Sequence, residues 1–338
     1  MYPRGDALNA LGACILGVGA TELTEEERAF FRKTRPFGYI LFARNVETPD
    51  QLRALCSDLR DAAGHNAPIL IDQEGGRVQR LTGPTWRDWL PPMEQVQLAG
   101  ERAEEAMYAR YRIIAHELYD LGIDANCAPL VDVAEPDTHP FLKSRCYGEN
   151  PHTVAAVGHA VAQGLLDGGV LPVVKHMPGH GRATVDSHFD LPQVDAALDE
   201  LDETDFAPFR ALNTLPMGMT AHLVYSACDA AAATLSSPVM RLIRERIGFD
   251  GLIMTDDISM KALSGNIHDL SAQAIAAGCD VVLHCNGDIG EARQVADASA
   301  TLSGTALDRA ERALAARQPP NEVDIPALEA KLAQLLKG

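Results

Sequence analysis

Residues able to transfer protons, attack carbon or bind hydroxyl groups collect at a few points of the chain, each just after a short apolar run. Asp72-Gln-Glu-Gly-Gly-Arg77-Val-Gln-Arg80 follows Pro68-Ile-Leu-Ile, and Asp132 ends the run that begins at Ala125. The richest stretch is Lys175-His176-Met-Pro-Gly-His180-Gly-Arg-Ala-Thr-Val-Asp186-Ser-His188. His222 lies in the next run, and Thr255-Asp256-Asp257 closes another. Asp186 and His188 are two apart, so an extended backbone turns them to the same side. A carboxylate there would orient the imidazole and raise its pKa, giving a proton donor near neutral pH. A surface turn is the plainer account of that triplet alone. Asp256 has the type and position of a nucleophile or charge stabiliser. Asp257 diverges from it, which suits a helix N-cap. Lys175 can donate to a sugar or carboxylate oxygen, and either Lys175 or His176 should face the interior, since neighbours on a strand alternate. Asp72, Arg80 and Arg145 fit hydroxyl and carbonyl binding, or else simple ion pairs.

The elements that would hold these groups repeat. Apolar runs begin near Ala13, Gly38, Pro68, Ala125, Val170, Met217, Gly251 and Asp280, and they do not alternate with polar residues. That pattern belongs to parallel strands covered on both faces. Helix signals lie between them: Thr24 and Thr48 as N-caps, one long segment from Glu94 to Leu121, then Val154–Leu166, Leu198–Leu212, Val239–Ile247 and Asp269–Ala277. Eight strand–helix units predict a (β/α)8 barrel, with functional loops beyond the strand C-termini. A doubly wound sheet is the runner-up, weakened because no G-x-G-x-x-G follows the first strand. The expected organisation is one catalytic barrel over 1–338 with a helical tail from about 303. In that tail Leu328, Leu332, Leu335 and Leu336 form a stripe suited to the barrel's outside.

The 338 residues carry 29 basic and 47 acidic side chains, a net charge of −18, which disfavours nucleic acid and anionic membranes as partners. No apolar run reaches the roughly 20 residues of a membrane span. Leu11-Gly-Ala-Cys14 faintly resembles a lipoprotein cleavage site, but a buried first strand is the better reading. Seven scattered cysteines with no C-x-x-C pair fit reduced thiols, and hence a cytoplasmic protein.

At these residues the chain resembles glycoside hydrolase family 3, and within it the single-domain bacterial β-N-acetylhexosaminidases of peptidoglycan recycling. The resemblance is carried by IDQEGGRVQRL at Ile71–Leu81, KSRCYG at Lys143–Gly148, KHMPGHGRATVDSH at Lys175–His188, MTAHLVY at Met219–Tyr225 and GFDGLIMTDDISM at Gly248–Met260. RCYG departs slightly from the family's usual Arg-small-Phe-Gly, though the arginine is kept. The resemblance implies that Asp256 is the nucleophile, His188 the acid/base and Asp186 its partner. It implies that Asp72, Arg80, Arg145, Lys175 and His176 bind an N-acetylglucosamine ring. Many relatives add a second domain that reaches the active site; here the acid/base would come from the barrel's own loop. The implied reaction is retaining exo-cleavage of terminal N-acetylglucosamine from anhydro-muropeptide fragments through a covalent intermediate, without metal or cofactor.

Three alternatives stand beside it. A phosphorylase would use the same residues with phosphate as acceptor. A metal-dependent amidohydrolase would want an H-x-H at a strand end, which is missing. A non-catalytic sugar sensor would not need Asp256, Asp186 and His188 together. The expected partner is a small carbohydrate or muropeptide, and the expected state a monomer.

Overall fold

The computed structural model describes residues 11–185 and 191–337. Eight parallel strands form the barrel: β1 (Gly12–Gly17), β2 (Pro36–Leu41), β3 (Ile69–Ile71), β4 (Ala125–Asn126), β5 (Leu171–Met177), β7 (Met217–Thr220), β9 (Leu252–Met254) and β10 (Val282–His284). A bridge between Met254 and Val281 brings β9 to β10 and completes the ring. All eight coincide with the apolar runs, and the fold is the expected (β/α)8 barrel. Two shorter strands, β6 (Gln193–Val194) and β8 (Val224–Tyr225), pair beside its mouth. Cys14 lies buried within β1, which fits the strand reading of the N-terminal run. Beyond the short β4, Pro129 has no N–H to donate, yet the chain stays beside β5: the Val173 and Lys175 N–H groups donate to the Ala128 and Pro129 oxygens, and the Val131 N–H donates to the Lys175 oxygen.

The helices follow their caps. Thr24 opens Glu25–Thr34 with a reciprocal capping box to Glu27, and Thr48 opens Pro49–Ala63. The single helix expected over Glu94–Leu121 is two, Pro92–Ala99 and Ala103–Asp120, because Gly100 takes a positive φ of 56° and turns the chain between them. The span Leu198–Leu212 likewise divides into Leu198–Glu203 and Ala207–Ala211.

After β10 come three helices, the last two forming the helical tail expected from about 303. Ile289–Ser299 supplies the last outer helix, and Gly304–Ala315 turns under the barrel. Ala310 and Ala313 of the latter join one apolar cluster with Leu11, Phe37, Leu171 and Met217, which stand at the N-terminal ends of their strands. The barrel floor is therefore stoppered by alanine-faced helix. The final helix, Ile325–Leu335, buries Leu332 and Leu335 on the outside against Ala103–Asp120.

Candidate active site

At the opposite end, a frame of buried charge is strung across the ends of β3, β5 and the loop after β4. Asp72 follows β3 and accepts from Lys175 Nζ at 2.9 Å and from Arg80 Nη2 at 3.0 Å. Glu74, two residues on, receives both Nε and Nη2 of Arg145 at 2.8 Å and lies 2.6 Å from Lys175 Nζ. Burial alone would raise both carboxyls; the neighbouring cations outweigh it and hold Asp72 well below the usual carboxylate range and Glu74 at about 2. Burial likewise works against the Lys175 ammonium, but Asp72 and Glu74 push its pKa up, so it stays charged. The frame is thus two anions against three cations, with Glu74, Arg145 and Lys175 buried and Asp72 and Arg80 part-buried toward the cavity.

Lys175 and His176 both line the cavity, not one of them. The register of β5 against β7 shifts between Val174 and Met177, and this irregularity breaks the alternation a regular strand would impose. Asp132 holds His176 through Oδ2–Nδ1 at 2.8 Å and accepts the His180 N–H at 2.7 Å. Burial, then the neighbouring His176, drive His180 down to about 4, so its imidazole is neutral at neutral pH. The loop after β5 is tied down as far as Ala183. A Cβ at Gly181 would strike the Val133 carbonyl, Tyr225 donates to the Gly179 oxygen, and Arg182 Nε reaches Asp205 at 2.8 Å.

Asp256 follows β9 and lines the same cavity. Burial opposes its charge, but the fields of His222 and His176, the Asp257 N–H and Lys175 prevail and keep its carboxyl below the usual range. Its Oδ1 accepts the Asp257 N–H at 2.8 Å, which fixes the carboxylate. Asp257 does not cap a helix as expected. It closes a tight turn, accepting from the Ser259 hydroxyl at 2.8 Å and from the Cys285 N–H at 3.1 Å. His222 Nε2 donates to the Asp257 carbonyl at 2.9 Å, buttressing that turn from β7.

The structure therefore brings Asp72, Arg80, Arg145, Lys175, His176 and Asp256 around one cavity of about 400 Å³, a size typical of small-molecule sites. Asp186 and His188 lie outside the described residues; Val185, the last described residue before them, lines the cavity. Sequence reasoning did not assign Glu74 or Asp132 to the site. Glu74 lies within the Ile71–Leu81 motif and Asp132 ends the apolar run from Ala125, and those positions were the available signal. Among the described residues no group of three His, Cys, Asp or Glu side chains is arranged to hold a metal ion.

Eight parallel strands ending around a charged cavity are the architecture of a barrel enzyme. Residues 10–315 match the model of the glycosyl hydrolase family 3 N-terminal domain, and the chain belongs to that family; it is a glycoside hydrolase. It is 36% identical over 291 residues to a beta-hexosaminidase of Thiobacillus denitrificans, covering 82% of this chain and 79% of the relative. A beta-hexosaminidase of Methylobacillus flagellatus is 34% identical over 93% of this chain and 91% of its own. Among solved structures, NagZ from Neisseria gonorrhoeae in complex with N-trifluoroacetyl-D-glucosamine superposes with a TM-score of 0.85 at 30% identity, covering 97% of this chain and 99% of that one.

Proposed function

We propose that this glycoside hydrolase is a retaining exo-β-N-acetylglucosaminidase that removes terminal N-acetylglucosamine from cell-wall fragments of the anhydro-muropeptide type. The observation that carries the reading is the Asp256 carboxylate, ionised and fixed in a cavity whose other polar groups are a preset frame of donors and acceptors. The beta-hexosaminidase relatives and the glucosamine-bound neighbour support the sugar class. Asp72, Arg80, Arg145, Lys175 and His176 bind the N-acetylglucosamine ring, with Glu74 and Asp132 holding Arg145, Lys175 and His176 in place.

Asp256 attacks the anomeric carbon as the bond to the leaving oxygen breaks, and His188, oriented by Asp186, gives that oxygen its proton. The product is a covalent glycosyl-enzyme. Water then surrenders a proton to His188 while its oxygen attacks the same carbon, which frees Asp256. A neutral imidazole in the base role avoids adding a further anion beside Asp256, Asp72 and Glu74. The seven free cysteines support a cytoplasmic setting, where thiols stay reduced.

Release of p-nitrophenol from its β-N-acetylglucosaminide and its β-glucoside, by wild type and Asp256→Ala, tests this. Turnover of the first substrate alone, lost in the variant, is expected. Preference for the glucoside overturns the sugar assignment, and undiminished turnover by Asp256→Ala overturns the nucleophile. Free sugar as product in phosphate buffer is expected; sugar 1-phosphate would make the enzyme a phosphorylase.

A further inference from the structure

Four cations line the cavity, and three of them are committed. Arg80 is paired with Asp72, Arg145 with Glu74, and Lys175 with both. Arg77 is paired with no carboxylate among the described residues; its guanidinium carbon stands 3.9 Å from the centroid of the Phe141 ring. The chain as a whole carries a net charge of −18, yet among the described residues no acid stands against this arginine. We propose that Arg77, backed by Phe141, binds a carboxylate on the leaving-group side of the bond that is cleaved. This rests on the exo-glycosidase reading of the cavity.

Depth separates Arg77 from the rest. Arg145 and Lys175 are buried, whereas Arg77 is exposed at the opening. An exo-acting enzyme holds the departing terminal sugar at the closed end, among Asp72, Arg145 and Lys175, so the leaving group lies toward the opening. Phe141 belongs to the same side as the loop after β5. The segment that carries it is tied to that loop by the His139 N–H donating to the Ala183 carbonyl at 2.9 Å and by the Thr138 hydroxyl donating to the Gly181 oxygen.

An exposed arginine ordinarily loses much rotamer freedom on binding. Here the loss is partly made in advance. Arg77 sits on a tight turn closed by the Glu74 N–H on the Val78 oxygen at 2.9 Å and pinned by the Gly76 N–H on the Trp89 oxygen at 2.8 Å. Gly75 and Gly76 take φ of 108° and 58°, and a Cβ on Gly76 would meet Pro91. The Phe141 ring engages the guanidinium by its π-face, which leaves the N–H groups available to a planar carboxylate.

Two disaccharides test this, each with N-acetylglucosamine β-linked to a sugar bearing an ether-linked lactyl group, one as free acid and one as its carboxamide. The readout is the ratio of kcat/KM for acid over amide in wild type, Arg77→Gln and Arg77→Lys. Wild type should favour the acid, and Arg77→Gln should lower the ratio about tenfold or more, the size of a charge-assisted pair, chiefly through KM. Arg77→Lys should recover part of it, and added salt should erode the wild-type preference. An equal ratio in wild type and Arg77→Gln, with p-nitrophenyl β-N-acetylglucosaminide still turned over, overturns the role of Arg77 alone. Wild type inactive on all three substrates overturns the exo-glycosidase reading and this inference with it.

Discussion

Glu74 grips Arg145 through both carboxylate oxygens, Oε2 to Nε and Oε1 to Nη2, each at 2.8 Å and across 71 residues of chain. Neither partner reaches bulk water to any extent, their side chains being 1% and 9% exposed. Because Lys175 Nζ also rests on Glu74, a single carboxylate positions two of the groups assigned to sugar binding.

Loss of that carboxylate leaves two buried cations facing only Asp72. Glu74→Ala should lower unfolding free energy by about 3–5 kcal/mol, the usual cost of removing one partner from a buried pair. Urea denaturation measures it. A loss under about 1 kcal/mol would mean the frame relaxes or hydrates freely.

Acid should act in two windows. The folded pKa of His180 lies at about 4 against an ordinary 6.5, so stability present above pH 6.5 is lost as pH falls toward 4. That of Glu74 lies at about 2 against 4.5, so its contribution is present above pH 4.5 and lost as pH falls toward 2. His180→Asn should flatten the upper limb of the stability–pH curve and Glu74→Gln the lower. Parallel curves for wild type and both variants would contradict the assignment.

Asp256→Asn should cut kcat on p-nitrophenyl β-N-acetylglucosaminide by a thousandfold or more, on the order seen when a nucleophile is removed, without lowering the melting temperature. His188→Ala should slow an alkyl glycoside far more than the p-nitrophenyl one, whose leaving oxygen needs no proton. Equal damage to both would remove His188 from the acid role.

Gly75→Ala should be among the most disruptive single substitutions. The new Cβ would fall on the Arg110 guanidinium, and the φ of 108° is unfavourable to alanine. Arg110 itself donates to the Glu74 carbonyl and to Gln95 Oε1 at 2.8 Å. We expect a loss of at least about 2 kcal/mol and reduced turnover, since Glu74 moves with the turn. A melting temperature within a degree of wild type would show that the turn accommodates the side chain.

The barrel was legible because strands covered on both faces must be continuously apolar, and Ile69–Ile71 or Val282–His284 can hardly be anything else. Asp72, Lys175 and Asp256 were legible because each stands where such a run ends. Glu74 was not: its task depends on Arg145, and no local pattern reports a contact over that distance. Asp132 was noticed only as a strand end, since its partners His176 and His180 lie on the next strand and its loop. The division at Gly100 was hidden inside an otherwise helical composition. The position of Gly304–Ala315 was hidden for a further reason: an alanine-faced amphipathic helix reads alike whether it lies along the barrel or across its base.

That helix has a kinetic corollary. With the base plugged by Ala310, Ala313 and the strand-end side chains around them, the cavity among the described residues opens at the C-terminal ends of the strands and not through the floor. Substrate, water and both products share that opening, so traffic must be ordered: the outer product departs before water can enter, and the sugar held deepest leaves last. Product inhibition should carry that signature, with free N-acetylglucosamine competing with substrate and the leaving-group sugar inhibiting noncompetitively.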